Sequence, residues 1–176
     1  MAAMPNFIKL LFSPVGRIGR RDYLIGLVGC IVVPTVYFLI LDTFLRGTII
    51  GTFLFLGLIF LFLQMIYSVY GKRLHDIGRT LWPLTGFLCL ILAVMIIVML
   101  TFGGADYFAA YSEYSPDNPP TDEVAEALNN EFKSRQKEGE GILGAVILGL
   151  ISAFSLWLAL AKSEAKTNRY GPNPSN

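Results

Sequence analysis

The chain has 176 residues and a mean hydropathy of +0.57; 54% of the residues are apolar and only 15% are charged. Fourteen Lys and Arg against thirteen Asp and Glu leave a net charge of +1, with two cysteines. Soluble domains carry roughly 25% charged residues, so these figures exclude a disordered chain, a disulfide scaffold and an ordinary cytosolic enzyme. They offer no electrostatic ground for binding nucleic acid and favour an integral membrane protein.

In chain order, Pro5–Pro14 places Phe7, Leu10 and Leu11 at helical spacing beside Lys9 and reads as a short interfacial turn. Four stretches without an ionisable side chain follow: Tyr23–Leu41, Gly47–Gly71, Thr80–Ala105 and Gly141–Ala161, of 19, 25, 26 and 21 residues. A bilayer core of about 30 Å takes about 20 helical residues. The third stretch, about 39 Å long at 1.5 Å per residue, must tilt or emerge at one end. Hydrocarbon offers no partner to a backbone N–H or C=O, so a span must close its own hydrogen bonds as a helix. Pro34 falls inside the first span and is predicted to kink it. Pro83 lies near the start of the third, where a missing N–H matters least. Cys30 and Cys89 fall within spans and read as small apolar fillers.

The predicted fold is therefore an all-α integral membrane protein, a four-transmembrane-helix bundle with spans at about 23–45, 47–71, 80–105 and 141–161, all in a single membrane domain 1–176. An outer loop at 106–140 and a tail at 162–176 complete it. Ten Lys and Arg fall in the N-terminal segment, the Lys72–Arg79 loop and the tail, against four in the other two loops. The positive-inside rule then puts both termini in the cytoplasm. The outer loop is acidic. Its first part, with Tyr107, Tyr111, Tyr114, Pro116, Pro119 and Pro120, reads as an extended arm. Asp122–Gln136 reads as an amphipathic helix with Val124, Leu128 and Phe132 on one face and Glu131 set to pair with Arg135.

Apolar lipid gives helices no hydrophobic reason to associate, so small residues that allow close approach matter. Gly141, Ala145, Gly149 and Ala153 form such a face on the fourth span, serving intrachain packing or dimerisation, and Gly47 and Gly51 repeat the spacing.

Three polar segments share the predicted cytoplasmic side: Gly16–Tyr23, Tyr70–Trp82 and Thr167–Pro174. They resemble the small bacterial inner-membrane proteins of the domain-of-unknown-function 805 family (DUF805). The similar features are G-R-x-x-R-x-D-Y before the first span, K-R-L-H-D-x-G-R between the second and third, and the closing N-R-Y-G-P-x-P. The resemblance implies the membrane location and no activity.

The residues suggest a structural or headgroup-binding cluster of Arg17, Arg20, Arg21, Lys72, Arg73, His75, Asp76, Arg79, Asn168, Arg169 and Tyr170. Asp76 is expected to accept charge-assisted hydrogen bonds from Arg17 or Arg20, and Asn168 and Tyr170 to pin the tail, turned by Gly171-Pro172. Surplus arginines and Lys72 would suit an anionic headgroup. No metal-ligand spacing, P-loop or nucleophile motif is present, so no catalytic residue, metal or cofactor is expected. The leading reading is a non-enzymatic scaffold, assembly partner or lipid-interacting module. A small transporter or channel component, with a path past Gln64, Tyr67, Ser68 and Tyr70, is the alternative. A membrane enzyme using His75 and Asp76 is third. Expected partners are the bilayer, anionic lipids, and a second copy or another membrane protein, with no nucleic acid.

Overall fold

A computed structural model describes residues 6–114, 118–172 and 174. Pro5, Pro116 and Asn173, which the predicted segments include, lie outside the described residues. The described residues form α1 (Phe7–Phe12), α2 (Arg20–Leu45), α3 (Ile49–Asp76), α4 (Trp82–Met99), α5 (Ala105–Tyr111) and α6 (Asp122–Leu160), with no strand among them. Among the described residues four helices are long and apolar enough to cross a membrane: Arg20–Leu45, Ile49–Asp76, Trp82–Tyr111 and Asp122–Leu160. Most of their large apolar side chains, such as Phe53, Phe60 and Leu148, face outward. On a soluble protein that surface would aggregate; in a bilayer it is what meets lipid.

The ends of these elements differ from the predicted ones for local reasons. Asn6 caps α1, its Oδ1 accepting from Ile8 N at 3.1 Å, so the N-terminal segment is a helix rather than a turn. Gly47 belongs to the α2–α3 turn, at φ +76°, and not to a packing face. Thr48 then caps α3, its hydroxyl accepting from Gly51 N at 3.0 Å. The region expected as a loop from Lys72 is helix to Asp76, because Lys72, Arg73 and Leu74 are good helix formers and its charges find partners. Gly78, at φ +75°, then ends α3: Gly78 N donates to His75 O and Arg79 N to Leu74 O, the paired bonds of a left-handed helix stop.

Pro83 is the second residue of α4. The predicted third span is not one regular helix. A π turn at Leu100–Gly104 joins α4 to α5, with Phe102 and Gly103 leaving helical geometry. The arm expected to be extended is helical as far as Tyr111, with Asp106 in its first turn favouring the helix dipole. The expected outer amphipathic helix and fourth span are a single 39-residue helix, α6. Between Gln136 and Ile142 only Gly139 and Gly141 disfavour helix, by about 1 kcal/mol each, which weakens it without stopping it.

The chain divides into two compact units, Met1–Thr85 with Ser155–Asn176, and Gly86–Phe154. In the first, α1, α2 and α3 pack around Leu10, Leu11, Ile18, Tyr23, Cys30, Met65, Val69 and Leu74, with Leu158 also buried. Two glycines of α2 set the spacing. A Cβ at Gly26 would stand 2.8 Å from Val69 Cγ1, and one at Gly29 2.8 Å from Leu11 Cδ2. In the second unit Phe102 sits over Gly139, where a Cβ would meet its ring at 2.8 Å. Tyr107, Tyr111 and Phe132 cluster beside it, and Arg135 bridges Asp106 and Glu131. Among the described residues of this unit a Cβ at Gly141 or Gly149 would meet nothing within 4 Å, and the close approach is at Gly139.

Candidate functional site: a buried arginine–aspartate cluster

The last turn of α3, the segment before α2 and the chain after α6 meet around Asp76, whose side chain is fully buried. Its Oδ1 accepts from Arg17 Nε at 3.2 Å and Arg17 Nη2 at 3.1 Å. Its Oδ2 accepts from Arg73 Nη1 and from the Ser163 hydroxyl. A carboxylate offers about four acceptor positions, and here all are taken. Arg20, the other expected partner, bonds elsewhere. Asp76 therefore has no lone pair left to take a proton from a substrate.

The two guanidinium groups are buried as completely as the carboxylate they hold. Charges removed from water need more than each other to offset desolvation, and here backbone carbonyls supply the rest. Arg17 donates to Glu164 O at 2.6 Å, Lys166 O at 2.9 Å and Gly171 O at 3.3 Å, and also to Asp76 O. Arg73 donates to Leu158 O at 2.9 Å and Ala161 O at 2.7 Å. Arg20 donates to Leu160 O at 2.8 Å and to Ala161 O. A helix ends with carbonyls that have no partner of their own. The last turn of α6 carries no basic residue, so arginines from two distant segments cap it.

The tail is fixed by further bonds. Glu164 N donates to Asp76 O at 2.8 Å. Asn168 Nδ2 reaches His75 O at 3.0 Å and Glu164 Oε2 at 2.7 Å, and Asn168 Oδ1 accepts from Tyr170 N at 2.9 Å. The Tyr170 ring stacks on His75 with centroids 3.7 Å apart and planes 6° from parallel, and Arg169 lies over the same ring at 4.7 Å. Gly16 presents its backbone to the His75 ring, yet Nδ1 makes no hydrogen bond of normal geometry among the described residues.

Lys72 is buried and takes no place facing headgroups. Its Nζ donates to Lys9 O at 2.9 Å and Leu10 O at 2.6 Å, tying α1 to α3. Arg21, Arg79 and Arg169 are exposed, with no ion pair among the described residues. Of the residues suggested for a path, Gln64 donates to Phe12 O at 3.1 Å and Tyr70 shares a 2.7 Å hydrogen bond with Ser155. Ser68 is buried and Tyr67 faces outward. Residue types alone pointed to neither Ser163, Glu164 nor the carbonyls of residues 158–171. A hydroxyl two residues past a span leaves no signature, and every residue carries a carbonyl.

No curated protein and no solved structure matches the chain. A family model described as "Protein of unknown function (DUF805)" matches residues 11–113, which contain Arg17, Arg73 and Asp76. That is more than half of the 176 residues, and the chain belongs to the DUF805 family.

Proposed function

We propose that the chain is a non-enzymatic multi-pass protein of the bacterial inner membrane with both termini cytoplasmic. In this reading it is a scaffold that engages anionic lipid through the cations its buried cluster leaves over. The observation that carries this is the saturation of Asp76 by Arg17, Arg73 and Ser163. It gives the most conspicuous acidic group a holding role and leaves His75 without an acid–base partner at that carboxylate. The meeting of residues 16–20, 73–79 and 158–171 in one place supports a single side for both terminal segments and the α3–α4 turn, the side that the positive-inside rule assigns to the cytoplasm. Arg21, Arg79, Lys162, Lys166 and Arg169 are exposed there and suit anionic headgroups, each contributing about 1 kcal/mol near a charged leaflet.

Two measurements test the reading together. Reporters fused at each end should both read cytoplasmic; opposite sides would overturn it. Gentle extraction followed by lipid analysis should recover phosphatidylglycerol or cardiolipin above its share of the membrane. Recovery at bulk proportion would remove the lipid role.

A further inference from the structure

A groove of about 650 Å³ opens beside the buried cluster, lined by His75, Thr80, Leu81, Trp82, Thr85, Arg169 and Tyr170. Its chemistry is one-sided. Arg169 brings a cation, the two threonines bring hydroxyls, and no lining residue is acidic. Arg169 is exposed and, among the described residues, has no ion pair and lies against the Tyr170 ring. This wall is built, because the Tyr170 ring stacks on His75 and carries Arg169 against it, and its backbone is tied to Asn168, which is itself tied to His75 O. His75 lines the same groove with its ring stacked on Tyr170.

The groove's position narrows the occupant. Trp82 is the first residue of a helix apolar enough to span, and it is 77% exposed. Tryptophan at a span's end sits at headgroup depth, so the groove brings an aromatic ring and Leu81 together with the Arg169 guanidinium and the Thr80 hydroxyl at that depth, while the Thr85 hydroxyl is turned back to Leu81 O. Arginine forms charge-assisted, bidentate bonds to phosphate oxygens. We infer that this groove binds the phosphate of an anionic phospholipid headgroup, with Arg169 as the phosphate ligand and Trp82 against the upper acyl chain. The inference rests on the lipid-engaging reading above and gives it a place.

The test uses the full chain carrying Trp157→Phe, which leaves Trp82 as the one tryptophan of the original two. It is reconstituted in vesicles of equal parts phosphatidylcholine and phosphatidylglycerol, with acyl-chain bromine carried on one lipid or the other. Brominated phosphatidylglycerol should quench Trp82 as though the local ratio of phosphatidylglycerol to phosphatidylcholine were about five to one, against one to one in the bulk. Arg169→Ala should bring the ratio close to one, Arg169→Lys should keep part of it, and Lys133→Ala, at an exposed position outside the groove, should leave it unchanged. Equal quenching by the two lipids, or a preference that survives Arg169→Ala, overturns the assignment. The parent ratio is read with the groove intact, so the proposal stays decidable even if an Arg169 variant loosens the tail. Inorganic phosphate at millimolar levels should not abolish the preference; if it does, the site is one for free phosphate and the lipid assignment falls. Equal quenching alongside enriched phosphatidylglycerol on purification would sink the groove and spare the broader reading, whereas failure of both would end both.

Discussion

Replacing Asp76 by alanine should be among the most damaging single changes in the chain. The substitution removes the acceptor for Arg17 Nε and Nη2, Arg73 Nη1 and the Ser163 hydroxyl. It leaves two guanidinium groups, 1% and 0% exposed, without a counter-charge. Breaking a buried ion pair from one side costs about 3–5 kcal/mol. The remaining carbonyl bonds to residues 158–171 keep the estimate within that range rather than above it. At roughly 2–4 °C per kcal/mol for a chain of this size, Tm in detergent should fall by about 6–20 °C. Limited proteolysis should cut the tail beyond Ala161 sooner, because Glu164 N, Arg17 and Arg73 hold it through this corner. Asp42→Ala is the matched control: its partner Arg46 is 81% exposed at 3.7 Å, and such pairs contribute about 0–1 kcal/mol. If Asp76→Ala melts within a degree or two of Asp42→Ala and its tail resists protease equally, the cluster is not what seats the tail.

Three further outcomes follow from contacts elsewhere. Gly26→Leu should lower Tm by an amount equivalent to about 1–3 kcal/mol, since even a Cβ there meets Val69 at 2.8 Å; Val69→Ala in the same chain should recover part of the loss. Lys72→Met should leave the Lys9 and Leu10 carbonyls without their donor, cost about 1–3 kcal/mol, and raise hydrogen exchange in α1 before α2. Gly139→Val should destabilise by crowding Phe102, whereas Gly149→Leu should leave Tm nearly unchanged; equal effects at the two positions would contradict the packing described.

The spans were legible because a bilayer imposes a simple rule, about twenty residues without charge, and the chain obeys it four times. The ends were not. Lys72, Arg73 and Asp76 look like the start of a loop when charge is taken to mean water, yet they are the buried last turn of α3 because each meets a partner from far along the chain. The Arg17–Asp76 contact was anticipated from charge type, and the role of Arg20 was not, since its acceptors are carbonyls. Periodicity also divided α6 in two at the change from polar to apolar residues. Helical hydrogen bonding is indifferent to that change, so the backbone continues through it.

The distance in sequence between the partners of the cluster has a consequence for synthesis. Asp76 leaves the ribosome 87 residues ahead of Ser163, and Arg17 precedes Lys166 by 149. Until the final stretch is made, Arg20 has none of its carbonyl acceptors, and Arg17 and Arg73 have Asp76 but not the carbonyls of residues 158–171. Translation halted before residue 158 would thus leave one carboxylate to hold two guanidinium groups without the carbonyls that share the load, and a completed chain differs from a broken one by whether that knot can be tied.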